Sequence, residues 1–416
     1  MGDTAAKVSL SKLPRRHNTI GEVFDPRFNS LNFLRLVLAI CVVVSHTVAV
    51  NFYGKNLFGR VAAIDNLNRT TIGTIAVYGF FGISGFLIVG SATRNNVGRY
   101  LWQRFLRIFP AFWICLVLTA LLFGVVGWIS NHPPLPGGLN EYFNATNGPL
   151  SYIYRNSLLQ LRQGYIAGTI WNGSIWTLFF EFLCYLLLAA MALIGVLRHR
   201  ILVAGIAVAF WLADIVATLT PSLNQHFGVK DNWVPMSLVK LGTIFLVGSL
   251  IYLYRDRVPD SGVLALACAI AFTASLWLPT DGRDPAAFLE GSQLLAPLIA
   301  YPVLWLGMHL PLQRVGARND YSYGVYIYAF PVEILLLIWG AARWGYPTFL
   351  LLVLLGTVPF AIGSWWLIER RALSKKQLDW NSVWVKLVGE PRAKSIPVDD
   401  PVALPVEPEA EDFEVS

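Results

Sequence analysis

Arg35 and His46 are the residues best placed to do chemistry, because a permanent cation and a titratable base both interrupt the apolar run Asn32 to Val50, NFLRLVLAICVVVSHTVAV. Ionisable side chains inside a bilayer are costly and rare, so each asks for a job. If the run is one helix, the eleven-residue step from one to the other makes about three turns plus roughly 20°, and roughly 16 Å along the axis. The two side chains then share a face at different depths. A neutral imidazole accepts a proton near neutral pH, which makes His46 a candidate general base. A guanidinium on the same face can orient a donor or stabilise negative charge on an attacked carbonyl, which is the role open to Arg35. Taken singly, a snorkelling arginine and a packed histidine would serve as well. The shared face favours a site inside the bilayer, between helices.

Glu181 is the third candidate. It lies in TLFFEFLCYLLL, where an unpaired carboxylate would be expensive, so it needs a partner: His46, an acceptor hydroxyl, or a plain salt bridge. Asp214 and Glu333 fall at a similar expected depth and suggest an outward-opening polar cavity, without motif support. Arg104 and Arg107, three residues apart in RYLWQRFLRIFPA, occupy neighbouring positions of a helix, with Arg99 about a turn and a half earlier. They can anchor the helix on lipid phosphates. Paired guanidinium groups can equally grip a soluble phosphate ligand by bidentate hydrogen bonds.

The elements that must position these groups are membrane helices. With 416 residues, 55% of them hydrophobic, and a mean hydropathy of +0.54, the chain is too apolar for an ordinary soluble domain. Ten apolar runs predict an all-α, polytopic bundle of about ten transmembrane helices: 33–50, 72–92, 108–129, 174–197, 201–219, 237–254, 263–278, 294–310, 321–340 and 348–368. With both termini in the cytoplasm, the inside segments carry 22 Lys and Arg and the outside loops carry 8, as the positive-inside rule requires. The net charge of +7 is therefore a topology signal, and nucleic acid is not an expected partner.

The predicted organisation is a basic cytoplasmic segment over 1–30, a membrane domain over 31–370, and a cytoplasmic tail over 371–416. Seven acidic residues and no basic one follow Ile396, which predicts a disordered end to that tail. The N-terminus lacks the order of features of a removable signal peptide. The outside loop Ser130 to Gly173 is long enough to cover a site. Cys41, Cys115, Cys184 and Cys268 sit in apolar runs without close spacing, so neither a metal site nor a disulfide framework is expected. The glycines of GFFGISGFLIVGS suit close helix packing. Asn68, Asn144 and Asn172 each head an N-x-Ser/Thr triplet and are read as chance.

Several stretches, in order, resemble the acyltransferase 3 family of integral membrane acyltransferases. SLNFLRLVLAICVVVSH is similar to that family's first helix, with Arg35 and His46 at its Arg and His positions. FFGISGFLI follows, then RFLRIFPA, which resembles the family's Arg-x-x-Arg motif. SIWTLFFEFLCY, with Trp176 and Glu181, resembles its Trp-Ser-Leu segment followed by Glu and Tyr. SYGVYIYAFPV resembles a Ser-Tyr, Tyr, Pro pattern in which many members carry His where Ala329 stands. Asn32 and Phe33 replace an Asp-Gly pair. The resemblance covers roughly residues 30–370.

The resemblance implies O-acyl transfer, usually of acetyl from cytoplasmic acetyl-CoA to a hydroxyl of a cell-surface carbohydrate or glycolipid. On it, His46, Arg35 and Glu181 are the expected catalytic set. Arg99, Arg104 and Arg107 are expected to bind CoA phosphates, with no metal. The expected setting is a bacterial inner membrane, with lipid, acyl-CoA and a carbohydrate acceptor as partners and the oligomeric state open. The same intramembrane Arg, His and Glu would also suit a proton-coupled exporter, a reading that the motif order opposes.

Overall fold

The computed structural model describes residues 19–52, 71–130, 138–159, 164–219, 233–275 and 295–377. The chain divides into two units, 1–376 and 377–416. The helical bundle belongs to the first, while residues 1–18 and the acidic tail from 378 fall outside the described residues. Each of the ten apolar runs forms a helix. Among the described residues, five helices are long and apolar enough to cross a membrane, starting at Leu31, Ile72, Val97, Trp176 and Tyr346. Shorter apolar helices lie at Ser237–Leu253, Gly262–Ser275 and Ser322–Ile338.

In chain order the helices are α1 (Leu31–Phe52), α2 (Ile72–Arg94), α3 (Val97–Leu118), α4 (Gly138–Asn144) and α5 (Pro149–Asn156). A hairpin of β1 (Gly164–Ile166) and β2 (Thr169–Asn172) comes next. Then follow α6 (Trp176–Leu193), α7 (Arg200–Leu219), α8 (Trp233–Leu253), α9 (Gly262–Ser275), α10 (Ala300–His309), α11 (Ser322–Ile338) and α12 (Tyr346–Ser364). α3 begins at Val97, well before the apolar run, because the Asn96 side chain accepts from the Arg99 N–H and caps it. This end of the bundle, where α1, α3 and α11 start, is called the basic end; the opposite one is the hairpin end.

Backbone contact sets the centre. A Cβ on Gly85 would lie 1.9 Å from the Phe245 carbonyl oxygen, and one on Gly248 would lie 2.2 Å from that of Gly82. α2 and α8 therefore touch backbone to backbone, and Ser249 Oγ donates to the Gly85 carbonyl across the contact.

A proline fixes the hairpin. Pro331 inside α11 has no N–H to offer the Ile327 carbonyl four residues earlier. Asn172 Nδ2 donates to that oxygen at 3.0 Å, and Cys115 Sγ approaches it at 3.3 Å. Asn172 is thus a buried anchor. A second anchor is a π-helical turn, Thr119–Phe123, that continues α3; Tyr142 Oη donates to its Ala120 carbonyl and holds α4 in place.

Candidate active site

α1 and α11 run parallel, and both Arg35 and His46 face α11, as the shared face requires. Arg35 Nη1 donates to Asp320 Oδ2 at 3.0 Å, just before α11 starts. Further along, the His46 ring meets Phe330 edge-on, with centroids 5.3 Å apart. Phe330 in turn lies under Gly173, where a Cβ would come within 2.8 Å of its ring. The end of the loop that carries the hairpin therefore packs over the level of His46.

Asp320 is the hub of the basic end. Its Oδ2 also accepts from Arg107 Nη2 at 2.5 Å, and Arg107 Nη1 lies 3.7 Å from Glu369 Oε2. The side chains of Arg35, Arg107 and Asp320 are 19%, 14% and 12% exposed, so these charges are largely desolvated. Burial works against the Asp320 carboxylate. Arg107, Arg35 and the Ser322 hydrogen bonds outweigh it and hold the carboxyl well below the usual range. Glu369 is turned inward by a π-helical segment, Trp365–Glu369, and Ser364 Oγ donates to its Oε1.

Between α1, α2, α6 and α11 lies a cavity of about 40 Å³ lined by Arg35, Ser84, Thr177, Glu181, Ser322 and Tyr326, among others. It has room for a few water molecules. Glu181 accepts from Ser84 Oγ at 3.1 Å and from Tyr185 Oη. Tyr326 Oη pairs with Thr177 Oγ1 and donates to the Ser174 carbonyl. Arg104 stands 5.9 Å above the Tyr185 ring with its Nε buried and without a hydrogen bond.

The structure thus brings Arg35 and Glu181 to one cavity, with Arg104 and Arg107 beside it. His46 does not line that cavity, and the hydrogen bonds of Glu181 go to Ser84 and Tyr185. Arg99 is exposed in the first turn of α3. Asp214 and Glu333 are buried but do not line the cavity, and both carboxylate oxygens of Glu333 lack a hydrogen bond. Among the described residues, no group of His, Cys, Asp and Glu is fit to hold a metal ion.

Sequence reasoning missed Asp320, Glu369 and Lys376. Asp320 and Glu369 each stand at a helix end beside arginines, where an acid ordinarily faces water. Lys376 is lowered to about 8 by burial and by the charges of Arg107 and Arg104, which places it with the arginine cluster. Only the approach of distant segments gives these residues partners.

A family described as an acyltransferase domain matches residues 28–368. An O-acetyl transferase of Shigella phage Sf6 is 29% identical over 354 residues, 83% of this chain and 96% of that protein. Nodulation protein 10 of Rhizobium leguminosarum bv. viciae is 28% identical over 368 residues, 83% of this chain and 93% of that protein. The acyltransferase MdmB of Streptomyces mycarofaciens is 34% identical over 113 residues, 27% of each chain. No solved structure matches.

Proposed function

Because the chain belongs to the acyltransferase family whose pattern spans residues 28–368, we propose that it is an integral membrane O-acetyltransferase that moves acetyl from acetyl-CoA to a hydroxyl of a cell-surface carbohydrate or glycolipid. The name of the Shigella phage Sf6 relative, an O-acetyl transferase, supports this reading. The observation that carries it is the cavity shared by Arg35 and Glu181, on the α1 face that leads on to His46. All ten helices span a bacterial inner membrane in this reading, with the basic end in the cytoplasm and the hairpin end outside.

The chemistry asks for two approaches to one bond. The acceptor hydroxyl oxygen attacks the thioester carbonyl carbon while His46 takes its proton. The carbon–sulfur bond then breaks, and the departing CoA thiolate receives that proton. Arg35 and His46, about 16 Å apart along the helix, cannot both touch one carbonyl. With His46 as the base, Arg35 orients the donor arm as it rises from the basic end, where Arg99, Arg104 and Arg107 attract the CoA phosphates. Of these, Arg107 already holds two carboxylates, so Arg104 brings the less compensated charge. Glu181, held by Ser84 and Tyr185, gives the path a fixed acceptor of hydrogen bonds.

The test is transfer of labelled acetyl from acetyl-CoA to a glycan by purified protein in vesicles. His46→Ala should lower incorporation by about 10²–10⁴-fold. Full incorporation by that variant would remove His46 as the base. Movement of intact glycan without acetylation would instead establish an exporter.

A further inference from the structure

On the water side of the Arg35–Asp320 pair, the basic end opens into a basin of about 540 Å³, against about 40 Å³ for the inner cavity. Its volume falls within the range of small-molecule sites. The wall is the loop between α10 and α11, laid against the first turn of α1. Several bonds fix that loop. Ser30 Oγ donates to the Leu310 carbonyl and accepts from the Leu312 N–H, Asn32 Nδ2 donates to the Gly316 carbonyl, and Trp365 Nε1 donates to Asn319 Oδ1. Gly316 has φ +75°, and a Cβ there would lie 2.9 Å from Asn32 Cβ. A side chain at that position would push the loop off α1.

This frame presents Arg314 and Arg318, both exposed and both lining the basin. Neither forms an ion pair among the described residues. The acid that lines the basin, Asp320, is already neutralised by Arg35 and Arg107. The basin is therefore a pre-shaped hollow with two uncompensated guanidinium groups, which suits phosphate recognised by paired N–H donors.

We propose that this basin holds the phosphorylated nucleotide end of the acyl-CoA donor, with Arg314 and Arg318 as phosphate ligands. The assignment rests on the acyl-CoA reading above. Asp320 lines the basin and Arg35 lines the inner cavity, so their ion pair is the partition between the two. A donor seated by its phosphates in the basin keeps those charges in water, and its uncharged arm passes the partition toward Glu181.

The test uses the full chain in phosphatidylcholine nanodiscs, titrated calorimetrically with CoA and with adenosine 3′,5′-bisphosphate. Wild type should bind both. Arg314→Ala with Arg318→Ala should weaken both by about 100-fold, roughly tenfold for each charge-assisted contact. The unliganded melting temperature should not move, since both side chains are exposed. If wild type binds CoA and the double variant binds it equally well, the basin is not the subsite, although the donor reading survives. If wild type binds no CoA, the donor reading itself fails and the inference falls with it. Displacement of the bisphosphate by added phosphatidylglycerol would assign the basin to lipid headgroups and overturn the proposal.

Discussion

At the basic end, Arg35, Arg107, Asp320 and Glu369 are buried together and charge answers charge. At the hairpin end, His46 has the ring edge of Phe330, and the fully buried Glu333 has no hydrogen bond at either oxygen. The same low-dielectric interior surrounds both ends, so the difference lies in what each group waits for. A compensated network holds three helix ends in register and has little reason to react. An uncompensated base or acid costs stability, and such a cost persists in folded proteins mainly where chemistry or binding uses the group. His46 fits that description, and the proposed transfer gives it a task. Glu333 has the same isolation with no task assigned.

The largest effect is expected from Asp320→Asn, which leaves Arg35 without its counter-charge and Arg107 with Glu369 alone. Removing one partner of a buried ion network costs about 3–5 kcal/mol. Thermal melting of the purified protein should drop by many degrees, and a shift under about 2 °C would show that the network is not desolvated. Glu333→Leu should move the other way. Replacing a buried, unbonded carboxylate by an apolar side chain should raise stability by about 1–3 kcal/mol. A loss of stability would mean that Glu333 has a partner the present geometry does not reveal. Tyr326→Phe, which removes the hydroxyl bonded to Thr177 and Ser174, should cost about 0.5–1.5 kcal/mol. No measurable change would mean that the cavity wall closes without that hydroxyl.

Much of this contrast could be read from residue types and spacing. Apolar runs located the long helices of the bundle, though not α4 and α5, and helical period alone put Arg35 and His46 on one face, which the structure turns to α11. The glycines of α2 announced close packing, which Gly85 bears out against Phe245. The compensation of charge was not legible. Asp320 is 285 residues from Arg35 along the chain, and Glu369 looks solvent-facing in IERR until a π-helical segment turns it inward. The count of ten spans is also finer than helix geometry decides, since among the described residues five helices pass on length and apolarity together. Asn172, whose triplet is read as chance, has a role that spacing does not announce: its carboxamide is a buried substitute for the N–H that Pro331 lacks.

Lys376 gives the most specific prediction, because it sits at the basic end without a carboxylate partner among the described ion pairs. Burial first, then repulsion from Arg107 and Arg104, lower it from 10.5 to about 8. Below about pH 8 the folded protein carries this strained proton, whereas the unfolded chain keeps its proton up to about pH 10.5. Between those values the unfolded state binds more protons, so stability should rise with pH through that window. Lys376→Met should abolish this slope, so the variant should melt above wild type near pH 7 and converge with it near pH 10.5. A difference that stays constant over the window would place Lys376 in free solvent. A difference that closes as described would extend the uncompensated character of the hairpin end to one position among the paired charges.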